Sequence, residues 1–197
     1  MNSYITEQDI AAIVDAQTLN MLLGGSRDTG RTPPKEGDAK IVTSVIPAVI
    51  ETVKGFTRHW YDMEEEMRPI YTYDAGVEYK EGSRVMGGGN CLYIALQDTS
   101  TDADLSRSDL FKLHDDRNPK LVEICATLVV HALFRRVNPR NMPEQRQYDQ
   151  EDAMKVLRDI QRGRVQLDIV QRKEVASDDA GQSICWGRMK GLKNEAY

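Results

Sequence analysis

The side chains that most enzymes rely on are scarce in this 197-residue sequence, which has three histidines, three cysteines and no pair of either at a metal-ligand spacing. Cys91, Cys125 and Cys185 are far apart, odd in number and outside any CxxC arrangement. This argues against a disulfide framework or a zinc site and fits a reducing compartment. His59, His114 and His131 fall in different elements without HExxH spacing. No stretch approaches the roughly 18 uninterrupted apolar residues of a membrane span. The opening MNSYITEQDI lacks the charged-then-apolar order of a signal peptide, so a soluble chain without a visible address is expected. Positive charge is in deficit overall, with a net charge of −5 and a pI near 5.3, which argues against nucleic acid as a partner of the whole surface.

What is present is apolar periodicity. With 40% apolar residues the chain supports one main core. Thr6 stands three residues ahead of Asp9, a capping-box-like start, and Ile10, Ala11, Ile13 and Val14 follow on a helical stripe. A helix is expected near 6–23, stopped by Gly24 and Gly25. Residues 26–38, SRDTGRTPPKEGD, read as an exposed loop. Val45, Val49, Val53, Phe56 and Trp60 recur along one face, which predicts a second helix from Ala39 or Ser44 to about Met67 with Pro47 in its first turn. Acidic DMEEE at 62–66 reads as its solvated end.

The texture changes after Ile70. Short β-branched and aromatic runs punctuated by glycine predict a small β module over 70–98, with a positive-φ turn at Gly87 to Asn90. GGGN lacks the Lys and Ser or Thr of a phosphate-binding loop. Residues 98–116 hold six aspartates against Arg107 and Lys112 and read as an acidic loop. A third helix, 119–137, is apolar nearly all round, with one polar line of Lys120, Glu123, Thr127, His131 and Arg135, so it is expected to be buried on most sides and Leu128 to pack on the second and fourth helices. Cys125 there is a small hydrophobe, not a nucleophile, and His131 a packing histidine. His114 beside Asp115 and Asp116 reads as a capping, solvated corner. A fourth helix is predicted from Glu144 or Arg146 to Arg162, stopped by Gly163. From about residue 170 the chain reads as an extended arm.

Between the last two helices, RRVNPRNMPEQR places Arg135, Arg136, Arg140 and Arg146 against Glu144 alone. Three roles compete for this proline-braced elbow: caps for helix carbonyls, a nucleic-acid groove, which would want more aromatics than Tyr148, or an interface with an acidic partner surface. The aspartate-rich segment of a second copy, with Asp102, Asp104 and Asp109, is an available complement. No catalytic or metal site is nominated, since no nucleophile, base and orienter can be placed together.

The run from Asp115 to Ile169 resembles the carboxy-terminal half of the head–tail connector (adaptor) proteins of tailed bacteriophages, in particular the Mu-like head–tail joining family and its crAss-like relatives. The matched features are Asp116-Arg117-Asn118-Pro119, the apolar helix ending in Arg136, the Asn138-Pro139-Arg140 elbow with Pro143, and the ending from Ala153 to Gly163. The opening, residues 4–19, and the tail CWGRMKGLKNEAY are similar as well.

The resemblance implies a mainly α, four-helix adaptor-type bundle with a small inserted β module and an extended C-terminal arm. Residues 1–69 and 115–169 would form the two helical parts of the adaptor domain, 70–114 the insertion with its acidic loop, and 170–197 the arm. It further implies a virion protein without cofactor that forms a homo-oligomeric ring, dodecameric to match a portal. Its partners would be the portal and the tail or next ring protein, with DNA passing through the channel without specific binding and no membrane contact. Arg135, Arg136, Arg140, Arg146, Trp186, Arg188 and Lys190 would then lie at subunit or portal interfaces. A ligand-binding module using the β insertion and a small enzyme are the alternatives.

Overall fold

The computed structural model describes residues 3–22, 36–137, 140 and 142–171. Among them are six α-helices, α1 (Glu7–Ala11), α2 (Ala16–Leu22), α3 (Glu36–Thr57), α4 (Met63–Glu66), α5 (Pro119–Val137) and α6 (Glu144–Gln161). Four strands, β1 (Ile70–Thr72), β2 (Arg84–Met86), β3 (Leu92–Ala95) and β4 (Phe111–Leu113), form one sheet in that order. The β1–β2 pair is parallel and the other two are antiparallel.

This corrects the expected four-helix bundle, and the reasons are local. The helix expected over 6–23 is two helices because Asp15 starts a new one: its carboxylate accepts from the Thr18 N–H at 2.8 Å and the Thr18 hydroxyl at 2.7 Å, the geometry of a helix cap. The helix expected to Met67 stops at Thr57, and Asp62 caps α4 by accepting from the Glu65 N–H. The glutamates of α4 therefore sit at the start of a separate helix, where the macrodipole favours negative charge, and not at the end of α3. Pro47 lies inside α3 and not in its first turn. In the segment read as an acidic loop, Phe111–Leu113 pairs with β3 as a fourth strand. The arm lies mostly outside the described residues.

Where the apolar pattern is strongest, expectation and structure agree. Helix α5 spans Pro119–Val137 and packs against α1, α3 and α6. Its Leu121, Cys125, Val129 and Leu133 join Val53 of α3 and Leu157 and Ile160 of α6 in one core, and Leu128 is 6% exposed. Helix α6 ends at Gln161, and Gly163 takes φ +70°, a value only glycine adopts at no steric cost.

The sheet has two unlike faces. On the outer face Val85, Ala95 and Phe111 pack with Tyr79, Ala103 and Leu110 of the connecting loops into a small separate core. On the other face Arg84 turns toward the helices. The β2–β3 hairpin closes through Gly89 and Asn90 at φ +71° and +60°, as the Gly-Asn pair suggests.

Candidate assembly interface

Helix α5 is a strut about 28 Å long at 1.5 Å per residue, and its two ends carry the charge of interest. At its start the backbone is capped by Asn118, whose Oδ1 accepts from the Lys120 and Leu121 N–H groups, with Pro119 at the first helical position, where its missing N–H costs nothing. Just before the cap, Arg117 is buried. Its guanidinium donates to Asp115 at 2.7 and 2.9 Å, to Asp9 at 2.7 Å and to the Tyr4 carbonyl at 2.9 Å. Burial opposes the charge of Arg117, but the hydrogen bonds with Asp115 and Asp9 outweigh it and raise its pKa. Burial likewise opposes ionisation of Asp115, and Arg117 nonetheless holds its carboxyl below the usual range.

A second buried arginine continues the cluster. Arg84, 1% exposed, donates to Asp116 at 2.6 Å and to the Glu66 carbonyl at 2.6 Å, and Arg68 reaches the other Asp116 oxygen at 3.2 Å. The Glu66 carboxylate accepts from the Tyr4 hydroxyl and the Asn118 N–H. Burial and Glu66 push the Tyr4 phenol pKa far up. Asp115-Asp116-Arg117-Asn118 is thus a clamp tying the amino-terminal segment, α4, the sheet and α5 together; His114 and Asp115 at its edge are exposed, as expected of a solvated corner, while Asp116 and Arg117 turn inward. Sequence reasoning missed Arg84 and Arg117. The one available signal was the crowding of opposite charges immediately before an Asn-Pro helix start.

The other end of α5 is displayed. Arg135 and Arg136 lie exposed in its last turn, where cations complement the helix dipole, and Arg136 donates to the Ser44 hydroxyl of α3 at 2.8 Å. Arg140 is exposed and makes no ion pair among the described residues. Val137 in the same last turn is exposed, as is Tyr148 near the start of α6. Arg146 differs from its neighbours: half-buried, it pairs with Asp149 at 3.1 Å and donates to the Ile13 carbonyl, joining α6 to the α1–α2 turn. Trp186, Arg188 and Lys190 lie outside the described residues.

The acidic candidates sit on the β3–β4 connection, at the sheet end of the molecule. Asp102 is exposed and takes φ +69°. Asp104 accepts from the N–H and hydroxyl of Ser106, which lower its pKa. Asp109 is exposed but already paired with Arg107 at 2.6 Å, which lowers its pKa too. The basic patch is thus on the end of α5 and the acidic one on the connection between β3 and β4, two separate elements.

Other reactive groups are muted. Burial pushes the Cys125 thiol up to about 12, and burial together with Arg135 holds the His131 imidazole below its ordinary value. Among the described residues no group of three or more His, Cys, Asp or Glu is arranged to hold a metal ion, and no helix is long and apolar enough to cross a membrane.

Residues 116–185 match the family described as Bacteriophage Mu, Gp36. The match opens inside the clamp and runs through α5, the arginine elbow and α6. Over that span the chain is similar to a bacteriophage protein family, which supports a phage-related structural or morphogenetic protein as its class. No curated protein and no solved structure matches the chain significantly.

Proposed function

We propose that the chain is a structural virion protein, a ring-forming adaptor that joins the portal of a tailed-phage capsid to its tail. The similarity of residues 116–185 to the Mu Gp36 family carries this reading, because it covers the helix pair and elbow on which an adaptor would be built. The charge layout supports it. A closed ring uses two different patches on each protomer, and here an arginine corner and an acidic loop lie on different elements, with no ion pair between them among the described residues. In this reading the partners are further copies of the chain, twelve to match a portal, then the portal itself and the tail or next ring protein. Genomic DNA crosses the channel without specific binding, and no catalysis is involved.

The test is to size the purified chain by light scattering with and without its portal, and to image the mixture. Rings on the portal are the expected result. A chain that stays monomeric with the portal, and is missing from purified particles by mass spectrometry, is not an adaptor.

A further inference from the structure

A trough runs between the sheet and α1 that nothing described so far fills. It consists of two adjoining cavities, of about 310 and 450 Å³, that share Thr6, Gln8, Met86 and Asn90. The floor of the smaller one is apolar, formed by Ile10, Leu19, Ile46 and Ile70. Its rim carries exposed Glu7, which has no ion-pair partner among the described residues, and exposed Thr72. The size and lining are those of a site that takes a few apolar side chains with a polar anchor.

The geometry points to residues 184–192 of this chain as the occupant. Two observations select them. The chain beyond Gln171 continues for residues 172–197, and 172–183 alone span roughly 40 Å when extended, a tether longer than α5 at about 28 Å. The sequence ICWGRMKGL then sets Ile184, Trp186, Met189 and Leu192 among Arg188 and Lys190, apolar groups for the floor and cations for Glu7. The segment 23–35, also outside the described residues, carries Arg27, Arg31 and Lys35 but only Leu23 as a large apolar residue, so it matches the rim and not the floor. An extended segment laid along a groove by its side chains is a common peptide-recognition mode. Docking in this trough is independent of ring formation, since a protein that never binds a portal still shows it.

The experiment uses the full chain with Trp60→Phe, which leaves Trp186 as the single tryptophan. Docked Trp186 emits to the blue of the same chain unfolded in urea and resists acrylamide quenching. Both signatures are lost in Thr72→Arg, which fills the rim, and weakened in Glu7→Lys, with recovery when Glu7→Lys is combined with Lys190→Glu. A shift that grows with protein concentration assigns the segment to a neighbouring copy, and a constant one assigns it to its own chain; either supports the site. Emission equal to that of the unfolded chain, or emission unmoved by Thr72→Arg and Glu7→Lys, overturns it, and the trough then belongs to residues 23–35 or to another protein.

Discussion

The two ends of α5 use the same residues for opposite ends. Each joins arginine to an Asn-Pro pair, Arg117-Asn118-Pro119 at the start and Arg136 to Arg140 around Asn138-Pro139 at the finish. At the start the guanidiniums of Arg84 and Arg117 are enclosed: Arg117, with 5% of its side chain exposed, meets Asp9, Asp115 and a backbone carbonyl. At the finish Arg135 and Arg140 face water. Buried, hydrogen-bonded charge fixes the geometry of neighbouring elements and is costly to disturb, whereas exposed charge contributes little to stability and remains open to partners. The first end therefore organises the fold, and the second is the one on which the proposed assembly rests.

The contrast is broken most severely at Arg117. Arg117→Ala leaves Asp9 with its Thr6 donors but without its cationic partner and takes the guanidinium donor from the Tyr4 carbonyl, and removing one partner of a buried pair costs about 3–5 kcal/mol. Urea titration reads this directly. A loss below about 1 kcal/mol would show that the clamp is solvated and the contrast mistaken. Leu128→Ala, which removes an apolar side chain from the same helix, is expected to cost about 2–5 kcal/mol through lost transfer and a residual cavity. The same titration checks it, and a smaller loss would mean that α5 is not central.

Acid sharpens the comparison. The Asp115 pKa is lowered in the folded protein, so the unfolded chain binds the proton first. The contribution of Asp115 to stability is present above the ordinary aspartate value of about 3.9 and disappears as pH falls through the lower folded value. Melting curves from pH 6 downward should therefore lose part of their acid sensitivity in Asp115→Asn and none of it in Arg140→Ala. Equal profiles for Asp115→Asn and the parent chain would remove Asp115 from the clamp.

What was legible in the sequence follows the range of the interactions. Helix α5 could be read because its apolar surface wraps almost the whole cylinder, a signal that no other element imitates. The breaks at Asp15 and Asp62 were written as caps, yet strong flanking periodicity hid them. Strand β4 is three residues set between aspartates and glycine-free turns, too short for alternation to show, and it exists because β3 offers it a ladder. The arginine corner was visible as local composition. The inward turn of Arg146 toward Ile13 was not, nor was the clamp, because Asp9 and Arg117 are 108 residues apart in sequence and no local pattern encodes such a partner.

The smallest effect on folding is expected at Arg140, where the functional effect should be largest. Its side chain is exposed and touches no carboxylate among the described residues, so Arg140→Ala should change the unfolding free energy by no more than about 0.5 kcal/mol, as surface substitutions usually do. If Arg140 lies in the proposed interface, the same variant should associate more slowly with its partner and lose much of the salt dependence of that step, since rim charges act mainly on encounter. If it is buried there in a bidentate pair, dissociation accelerates instead, by the equivalent of about 2–5 kcal/mol. Stopped-flow association at two ionic strengths, read alongside a urea titration of the same preparation, separates these outcomes. A variant as stable as the parent that also assembles at the parent rate at both ionic strengths would return Arg140 to the ordinary surface.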